Sequence, residues 1–232
     1  MIYKPIVVVA GEPNSIFSEI FFKSLNYKKF KSPIILISSH NLIKLQMKKL
    51  NMSKKIKLIN ILDIKKNYLD NKTINLIDVS FNQRKPFEKI SSKSNEYLKK
   101  SFDIALKILE KKITNKFING PVSKKFFLKK KYLGVTEYLA HKTKTKNFAM
   151  IIYNKNLSVC PLTTHLPLKK VSKKINKKMI KEKVKLIDFF FRKYFKKRPK
   201  IGITGLNPHC ESIDAFNEDE KIIKPAVKSL IK

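Results

Sequence analysis

Several residue types are scarce in this chain of 232 residues, and each scarcity excludes a class of protein. Two cysteines are too few for a disulfide-stabilised scaffold, and five glycines with ten prolines exclude collagen-like and elastic low-complexity sequences. No apolar run approaches the ~20 residues that cross a bilayer. The first ten residues lack the long apolar segment and the small-residue cleavage site of a signal peptide. We therefore expect a globular protein with reduced cysteines that resides in the cytoplasm and does not bind membranes.

Acidic residues are also scarce: 17 Asp and Glu face 52 Lys and Arg, for a formal net charge of +35. Such a charge suggests nucleic-acid binding, but arginine, the residue suited to bidentate phosphate and guanine recognition, occurs only at Arg84, Arg192 and Arg198. The lysines are spread through nearly every segment, and 43% of the residues are hydrophobic, which excludes a disordered polyelectrolyte. We expect solvated lysine faces, with attraction of an anionic small substrate as the main alternative and nucleic-acid binding as a minor one.

Buried strands and amphipathic helices alternate along the first part of the chain, a pattern typical of α/β folds. Continuous runs of β-branched and other apolar residues predict strands buried on both faces, as in a parallel sheet. These predicted strands cover residues 6–9, 33–38, 56–61, 74–79 and 117–119. Helical spacing of apolar residues predicts helices that begin near residues 17, 41 and 94.

The pattern changes near residues 140–150, where two apolar segments, 148–153 and 157–163, flank a short polar turn and predict an antiparallel hairpin. An amphipathic helix around residues 180–194 and a strand over 200–205 follow, and Asn217 and Glu220 resemble a helix capping box. We therefore predict a mostly parallel α/β fold in two lobes with some antiparallel strands. The first lobe would cover residues 1–140, and the second would cover 141–232 and be incomplete at its C-terminus.

Two of the four histidines, His165 and His209, each follow a predicted strand and stand beside a proline. Ligands of open α/β sheets bind beyond the carboxyl ends of strands, so both imidazoles are candidates for a shared divalent metal. Ordinary hydrogen-bonded loop histidines are the alternative, because 44 residues separate the two and no close-range zinc motif is present. Cys210 is likewise either a metal ligand or a reduced thiol. Glu211 and Asp214 could accept hydrogen bonds from an imidazole or be solvated.

Five short segments, in this order and at these intervals, resemble the 4-hydroxythreonine-4-phosphate dehydrogenase family, NAD-dependent enzymes of pyridoxal phosphate biosynthesis. They are GEP at 11–13, NGPVSK at 119–124, GVTE at 134–137, TTHLPL at 163–168 and GLNPH at 205–209. No G-x-G-x-x-G motif or Walker-type phosphate loop occurs, so no residue of this chain can be assigned to cofactor binding.

The resemblance implies an isocitrate-dehydrogenase-like α/β fold and a homodimer with its site at the subunit interface. It implies that His165 and His209 are two of three histidines that hold a divalent metal (zinc, magnesium or cobalt) and that Thr136 binds substrate. The implied reaction is NAD-dependent oxidation of the C3 hydroxyl of 4-phosphooxy-L-threonine, a phosphorylated hydroxy amino acid. The resulting keto acid then loses carbon dioxide to give 3-amino-2-oxopropyl phosphate. A metal at the hydroxyl would favour hydride departure by stabilising the developing alkoxide. The resemblance assigns no catalytic acid or base.

Three departures from the family pattern bear on this expectation. The chain ends at Lys232, whereas family members continue through a C-terminal third that carries the third histidine. Val135, which the resemblance places with Thr136 among the substrate-binding residues, stands where the family usually has a histidine, and valine can neither hydrogen-bond nor carry charge. The segments NSIF at 14–17 and CES at 210–212 replace glycine-rich stretches. A sister dehydrogenase for another phosphorylated hydroxy acid and a truncated, non-catalytic scaffold are therefore the alternatives.

Overall fold

The computed structural model describes residues 3–27, 29–62, 64, 69–129, 131–210 and 216–231. The chain divides into two compact units, residues 1–135 and 136–232, whereas the sequence analysis placed the boundary between residues 140 and 141. No helix in the described part of the chain is both long and apolar enough to span a membrane.

A parallel β-sheet forms the centre of the first unit. Its strands, in the order in which they lie across the sheet, are β3 (Ile56–Leu58), β4 (Ile74–Asp78), β2 (Ile34–Ser38), β1 (Ile6–Val9) and β5 (Phe117–Asn119). All pairings between them are parallel, and the register of β1 on β2 sets Val7 beside Ile35 and Val8 beside Leu36. The predicted parallel α/β fold is confirmed.

Helices cover both faces of this sheet, which is why its strands are apolar on successive residues. Helices α1 (Phe17–Tyr27) and α2 (His40–Lys49) pack on the face that carries Val8 and Leu36. Helix α3 (Asn95–Glu110), preceded by a 3₁₀ turn over Ser92–Ser94, contacts β1 and β2, and its residue Phe102 is fully buried against Phe117 and Phe127.

The turn after β1 approaches the turn after β5 so closely that glycine is required at residue 11. Gly11 has φ +77°, and a Cβ at that position would lie 2.3 Å from the Pro121 carbonyl oxygen. The Glu12 amide donates a hydrogen bond of 2.7 Å to the same oxygen. The gap between the ends of β1 and β5 is therefore filled by backbone.

Helices are the regular elements that the structure describes in the second unit, and long loops connect them. This unit contains α4 (Val135–Lys142, whose first residue belongs to the first unit), α5 (Val171–Lys174), α6 (Lys177–Phe190) and α7 (Lys224–Ile231). A 3₁₀ turn at Leu168–Lys170 precedes α5, and π-helical turns at Phe191–Phe195 and Asp219–Ile223 follow α6 and precede α7. The π-helical turn Asp219–Ile223 runs directly into α7, so Pro225 lies inside a continuous helical segment, and π-turns are a common way for a helix to accommodate the hydrogen bond that a proline removes.

The expected antiparallel strands are not supported. In the described part of residues 136–232 there is no β-strand, and the predicted hairpin is reduced to one isolated antiparallel bridge between Ile152 and Val159. The segment 200–205 forms no β-ladder with any of the described residues, and Ile201 is exposed. An apolar run becomes a strand only where a second segment completes its backbone hydrogen bonds, and the sequence pattern does not report that partner.

Candidate functional site

The two predicted metal ligands lie on loops of the second unit rather than after strands, which corrects the sequence-based placement. Both His165 and His209 are exposed. His165 has φ +58°, in the left-handed region that non-glycine residues seldom occupy. Such a backbone conformation persists only where neighbouring contacts impose it.

A hydrogen bond joins the His165 loop to helix α4. The Thr164 hydroxyl donates to Oε1 of Glu137 over 3.2 Å. Glu137 is in the first turn of α4, directly after Thr136, the predicted substrate-binding residue. The residue before His165 and the residue after Thr136 are therefore bonded to each other, which ties the two predicted site segments together.

The second carboxylate oxygen of Glu137, Oε2, is buried and has no hydrogen-bond partner among the described groups. A buried carboxylate oxygen is normally satisfied, because leaving it without a donor is energetically costly. This oxygen is therefore available to accept a hydrogen bond at the junction of α4 and the His165 loop.

A buried carboxylate also holds the loop that carries His209. The amide of Leu206 donates to both oxygens of Asp219, at 3.1 and 3.3 Å, and Asp219 is 2% exposed. Within the loop, the His209 amide donates to Oδ1 of Asn207 and the Cys210 amide donates to the Asn207 carbonyl, which closes a turn. A Cβ at Gly205 would lie 2.3 Å from Sγ of Cys210 and 2.9 Å from Oδ1 of Asp219, so a larger residue there would displace both side chains.

Asp219 is positioned by the start of its own helical segment. Oδ1 of Asn217 accepts hydrogen bonds from the amides of Asp219 and Glu220, at 2.9 and 3.3 Å. Asn217 is therefore the cap that the sequence pattern predicted. The capping geometry directs the Asp219 side chain to the His209 loop.

Both histidine segments pack on one small hydrophobic core. Ile175, Ile180 and Ile223 form this core with Ala226, and it receives Leu162 from the His165 segment and Ile203 from the His209 segment. Helix α6 supplies Ile180, helix α7 supplies Ala226, and the π-helical turn before α7 supplies Ile223. The tertiary structure thus brings the two segments to the same packing centre, although 44 residues separate the histidines in sequence.

Two imidazoles fit two positions of a divalent metal but do not complete its coordination. Within the part of the chain that the structure describes, no group of three or more His, Cys, Asp and Glu side chains could hold a metal ion. Cys210 is exposed, and its thiol lies 3.8 Å from the Asn207 carbonyl oxygen. Glu211 and Asp214 lie outside the described residues.

Val135 and Thr136 are the first two residues of α4, and both are half-buried. The valine side chain can neither donate nor accept a hydrogen bond, so at this helix end Thr136 supplies the polar side chain. The structure thus places Thr136, the predicted substrate-binding residue, and Val135 at the start of a helix.

The family model for pyridoxal phosphate biosynthetic protein PdxA matches residues 29–232. The chain belongs to the PdxA family. It is 37% identical to the 4-hydroxythreonine-4-phosphate dehydrogenase of Sulfurihydrogenibium sp. over 97% of this chain and 70% of that relative. It also matches the D-threonate 4-phosphate dehydrogenase of Pectobacterium atrosepticum, at 31% identity over 43% of this chain and 31% of that relative.

Solved structures agree with this membership. The structure of 4-hydroxythreonine-4-phosphate dehydrogenase from Klebsiella pneumoniae superposes with a TM-score of 0.84 at 25% identity. The match covers 99% of this chain and 71% of that one. Since the PdxA relatives are dehydrogenases, the chain is an oxidoreductase by family.

The roles of Glu137 and Asp219 are not evident from the sequence. Glu137 is part of the GVTE segment, and Asp219 lies inside the predicted capping box. The sequence pattern therefore indicates only that each residue is near a helix start. Their partners, Thr164 and Leu206, are 27 and 13 residues away, and no local pattern indicates such a pair.

Proposed function

We propose that this PdxA-family chain takes part in the NAD-dependent, divalent-metal-assisted oxidation of 4-phosphooxy-L-threonine. The product, a 2-amino-3-oxo acid, would lose carbon dioxide to give 3-amino-2-oxopropyl phosphate in vitamin B6 biosynthesis. The Sulfurihydrogenibium relative carries the name of this activity and aligns over nearly the whole chain. The single structural observation that carries the proposal is the Thr164–Glu137 hydrogen bond, which links the predicted substrate and metal segments.

In this proposal the protein's own groups bind and orient the substrate. The Thr136 hydroxyl contacts the substrate at the start of α4, and the imidazoles of His165 and His209 serve as two ligands of the cation. The Glu137 and Asp219 carboxylates hold the two loops in place, so each imidazole is presented from an anchored segment. Anchoring matters because reaction rates depend strongly on how precisely the reacting groups are oriented.

When bound, NAD supplies the hydride acceptor, and a divalent cation supplies Lewis-acid polarisation of the hydroxyl group. The donor set of the described residues fits only part of the cation's coordination, and no motif of this chain marks a nicotinamide contact. A homodimer with the site at the subunit interface, and a cytoplasmic location, belong to the same proposal. The excess of lysine suits an anionic phosphorylated substrate.

Cobalt binding tests the metal part of the proposal separately from activity. We expect His165→Ala and His209→Ala each to abolish the visible absorption spectrum that Co²⁺ acquires on binding. Thr164→Val should weaken cobalt affinity about tenfold, the lower end of the effect of residues that support a metal ligand. Thr163→Val is the matched control, because Thr163 has no side-chain hydrogen bond among the described residues. Equal affinities of the two valine variants would contradict the anchoring role of Thr164.

Activity is tested by NADH formation from 4-phosphooxy-L-threonine with cobalt or zinc present. NADH formation that requires the metal supports the proposal. Cobalt binding without NADH formation would indicate the non-catalytic scaffold. Steeply salt-dependent, tight binding to duplex DNA would favour the nucleic-acid alternative instead.

Val135 favours a second candidate function, the oxidation of a different phosphorylated hydroxy acid. One relative, from Pectobacterium atrosepticum, is named for a different substrate, D-threonate 4-phosphate. Comparing 4-phosphooxy-L-threonine with D-threonate 4-phosphate in one assay separates the two candidates. Val135→His should shift the kcat/KM ratio toward 4-phosphooxy-L-threonine if the valine alters recognition, and an unchanged ratio would exclude that role.

A further inference from the structure

The C-terminal end of helix α6 carries an exposed group of aromatic side chains in mutual contact. This aromatic cluster consists of the rings of Tyr153, Phe190, Phe191, Tyr194 and Phe195. Tyr153 is 59% exposed, Tyr194 is 47% exposed and Phe195 is 42% exposed. Contiguous apolar surface of this kind marks a binding site, because large rings are normally stabilised by leaving water.

The π-helical turn at Phe191–Phe195 assembles the cluster. Its wider spacing brings the Phe195 ring beside the ring of Phe190, with their centroids 5.7 Å apart. Tyr153, which follows the bridge residue Ile152, stacks on Phe195 with centroids 5.6 Å apart and ring planes 11° apart. Phe195 therefore covers one face of the Tyr153 ring, and the exposure of Tyr153 leaves the other face open to a ligand.

Cations surround the aromatic cluster. Six of the twelve residues from Phe189 to Lys200 are lysine or arginine, and none is acidic. Two of the three arginines of the chain, Arg192 and Arg198, are among them. Within the described residues, Arg192 is the one cation of the six that forms an ion pair, with Asp188. The surface around the rings is therefore complementary to a polyanion.

Exposed rings with cations beside them match the chemistry of single-stranded nucleic acid. Unpaired bases stack on aromatic rings, and neighbouring lysine and arginine side chains bind the phosphate backbone. The bases of a duplex are already stacked on one another, so a duplex offers only its phosphates to such a surface. A second copy of the chain that docked through the same face would place its six cations against these six.

The position of Lys193 argues against a lipid bilayer as the ligand. Its Nζ lies over the rings of Phe189 and Tyr194, 5.2 and 5.5 Å from their centroids. Insertion of these rings into the acyl region would carry the ammonium group out of water, which is energetically costly. On a nucleic acid the ammonium group stays at the surface, where a phosphate can reach it.

We infer that the aromatic cluster and its cations bind single-stranded nucleic acid. Unpaired bases stack on Tyr153 and the neighbouring rings, and the phosphates contact the cations between Arg192 and Lys200. The predicted metal ligands and the substrate residue Thr136 do not belong to this surface. The inference is therefore independent of the proposed dehydrogenase activity.

Tyrosine emission reports the binding, because the chain has no tryptophan and two of its eight tyrosines lie in the cluster. Oligothymidylate and oligouridylate of roughly ten nucleotides are compared with an abasic strand of the same length and with duplex DNA, at constant ionic strength. We expect both base-containing single strands to quench the emission and to bind at least ~10 times more tightly than the abasic strand and the duplex, since stacking of one base contributes about this much. The ratio of the two affinities shows whether RNA or DNA is preferred. Equal affinities for the base-containing and abasic strands would overturn the inference.

A pair of tyrosine variants separates stacking from the positive field of the whole protein. Tyr153→Leu should weaken oligothymidylate binding about fivefold or more and leave binding of the abasic strand unchanged. Tyr27→Leu, the same change at a 92% exposed tyrosine of α1, should affect neither strand. If Tyr153→Leu does not fold, Tyr194→Leu replaces it. Equal affinities of the cluster variant and the Tyr27 control for oligothymidylate would contradict the stacking role.

A pair of lysine variants tests the phosphate contacts. Lys197→Gln should weaken binding of the base-containing and abasic strands alike and reduce the slope of log affinity against log salt by about one. Lys99→Gln, the same change at an exposed residue of α3, should weaken neither. Equal losses in the two lysine variants would show attraction by the protein as a whole and would overturn the assignment of this surface.

Two further results would assign the aromatic cluster to a different ligand. Binding to phosphatidylserine vesicles that Tyr153→Leu abolishes, together with unchanged oligothymidylate binding, would identify a lipid surface. Sedimentation that shows a dimer for the wild-type chain and a monomer for Tyr153→Leu would identify a contact between copies. Either result would overturn the inference.

Discussion

Replacement of Asp219 by alanine should remove the hydrogen bonds that anchor the His209 loop through the Leu206 amide. Asp219 accepts the Leu206 amide with both carboxylate oxygens while itself 2% exposed. A hydrogen bond to a charged group contributes roughly 1.5–3 kcal/mol. Since Leu206 is partly solvent-accessible, we take a value near the lower end, about 2 kcal/mol, for the loss in the variant.

Hydrogen exchange at the Leu206 amide measures this loss directly. A local destabilisation of about 1.4 kcal/mol corresponds to a tenfold change in an equilibrium constant, so the amide should exchange at least ~10 times faster in Asp219→Ala. If residues 136–232 unfold as a unit of their own, the same loss lowers Tm by roughly 8–16 °C. Metal affinity through His209 should fall in parallel, because the loop that presents the imidazole is no longer anchored.

Glu218→Ala is the matched control for this experiment. It removes a carboxylate one residue earlier in the chain, and Glu218 makes no side-chain hydrogen bond or ion pair among the described residues. Exchange of the Leu206 amide should be unchanged in this control. Equal exchange rates in Asp219→Ala and Glu218→Ala would refute the assignment of Asp219 as the anchor.

Two further predictions concern the first unit. Burial raises the pKa of Glu12 in the folded state above its ordinary value of 4.5. The folded state therefore binds this proton more tightly than the unfolded state does. The free energy of unfolding should fall as the pH rises from the pKa of the unfolded state through the raised pKa of the folded state. Glu12→Gln should remove that fall, and denaturant titrations of both proteins between pH 4 and 8 should diverge with rising pH; parallel curves would contradict this. Phe102→Ala removes a fully buried ring packed on Phe117 and Phe127 and should cost about 3–5 kcal/mol in urea unfolding, whereas a loss below ~1 kcal/mol would mean that α3 does not close the core.

The local pattern of the first unit was sufficient to predict its strands and helices. Runs such as residues 34–37 are apolar at every position because α1 and α2 cover one face of the sheet and α3 covers the other. Sequence does not reveal that β4 lies between β2 and β3, since that order depends on pairing between distant segments. The prediction of antiparallel strands in the second unit was wrong for the same reason, because the apolar segments there form no ladder with other described residues.

The sequence by itself determined the parallel α/β unit, the family resemblance and the identity of the two histidine loops. The spacing of apolar residues and the order of motifs are properties of the sequence, so they can be recognised before the fold is known. The tertiary structure alone decided that Glu137 holds Thr164, that Asp219 holds Leu206 and that Leu162 and Ile203 share one core. These contacts join residues far apart in sequence, and only the packed chain brings their atoms within bonding distance.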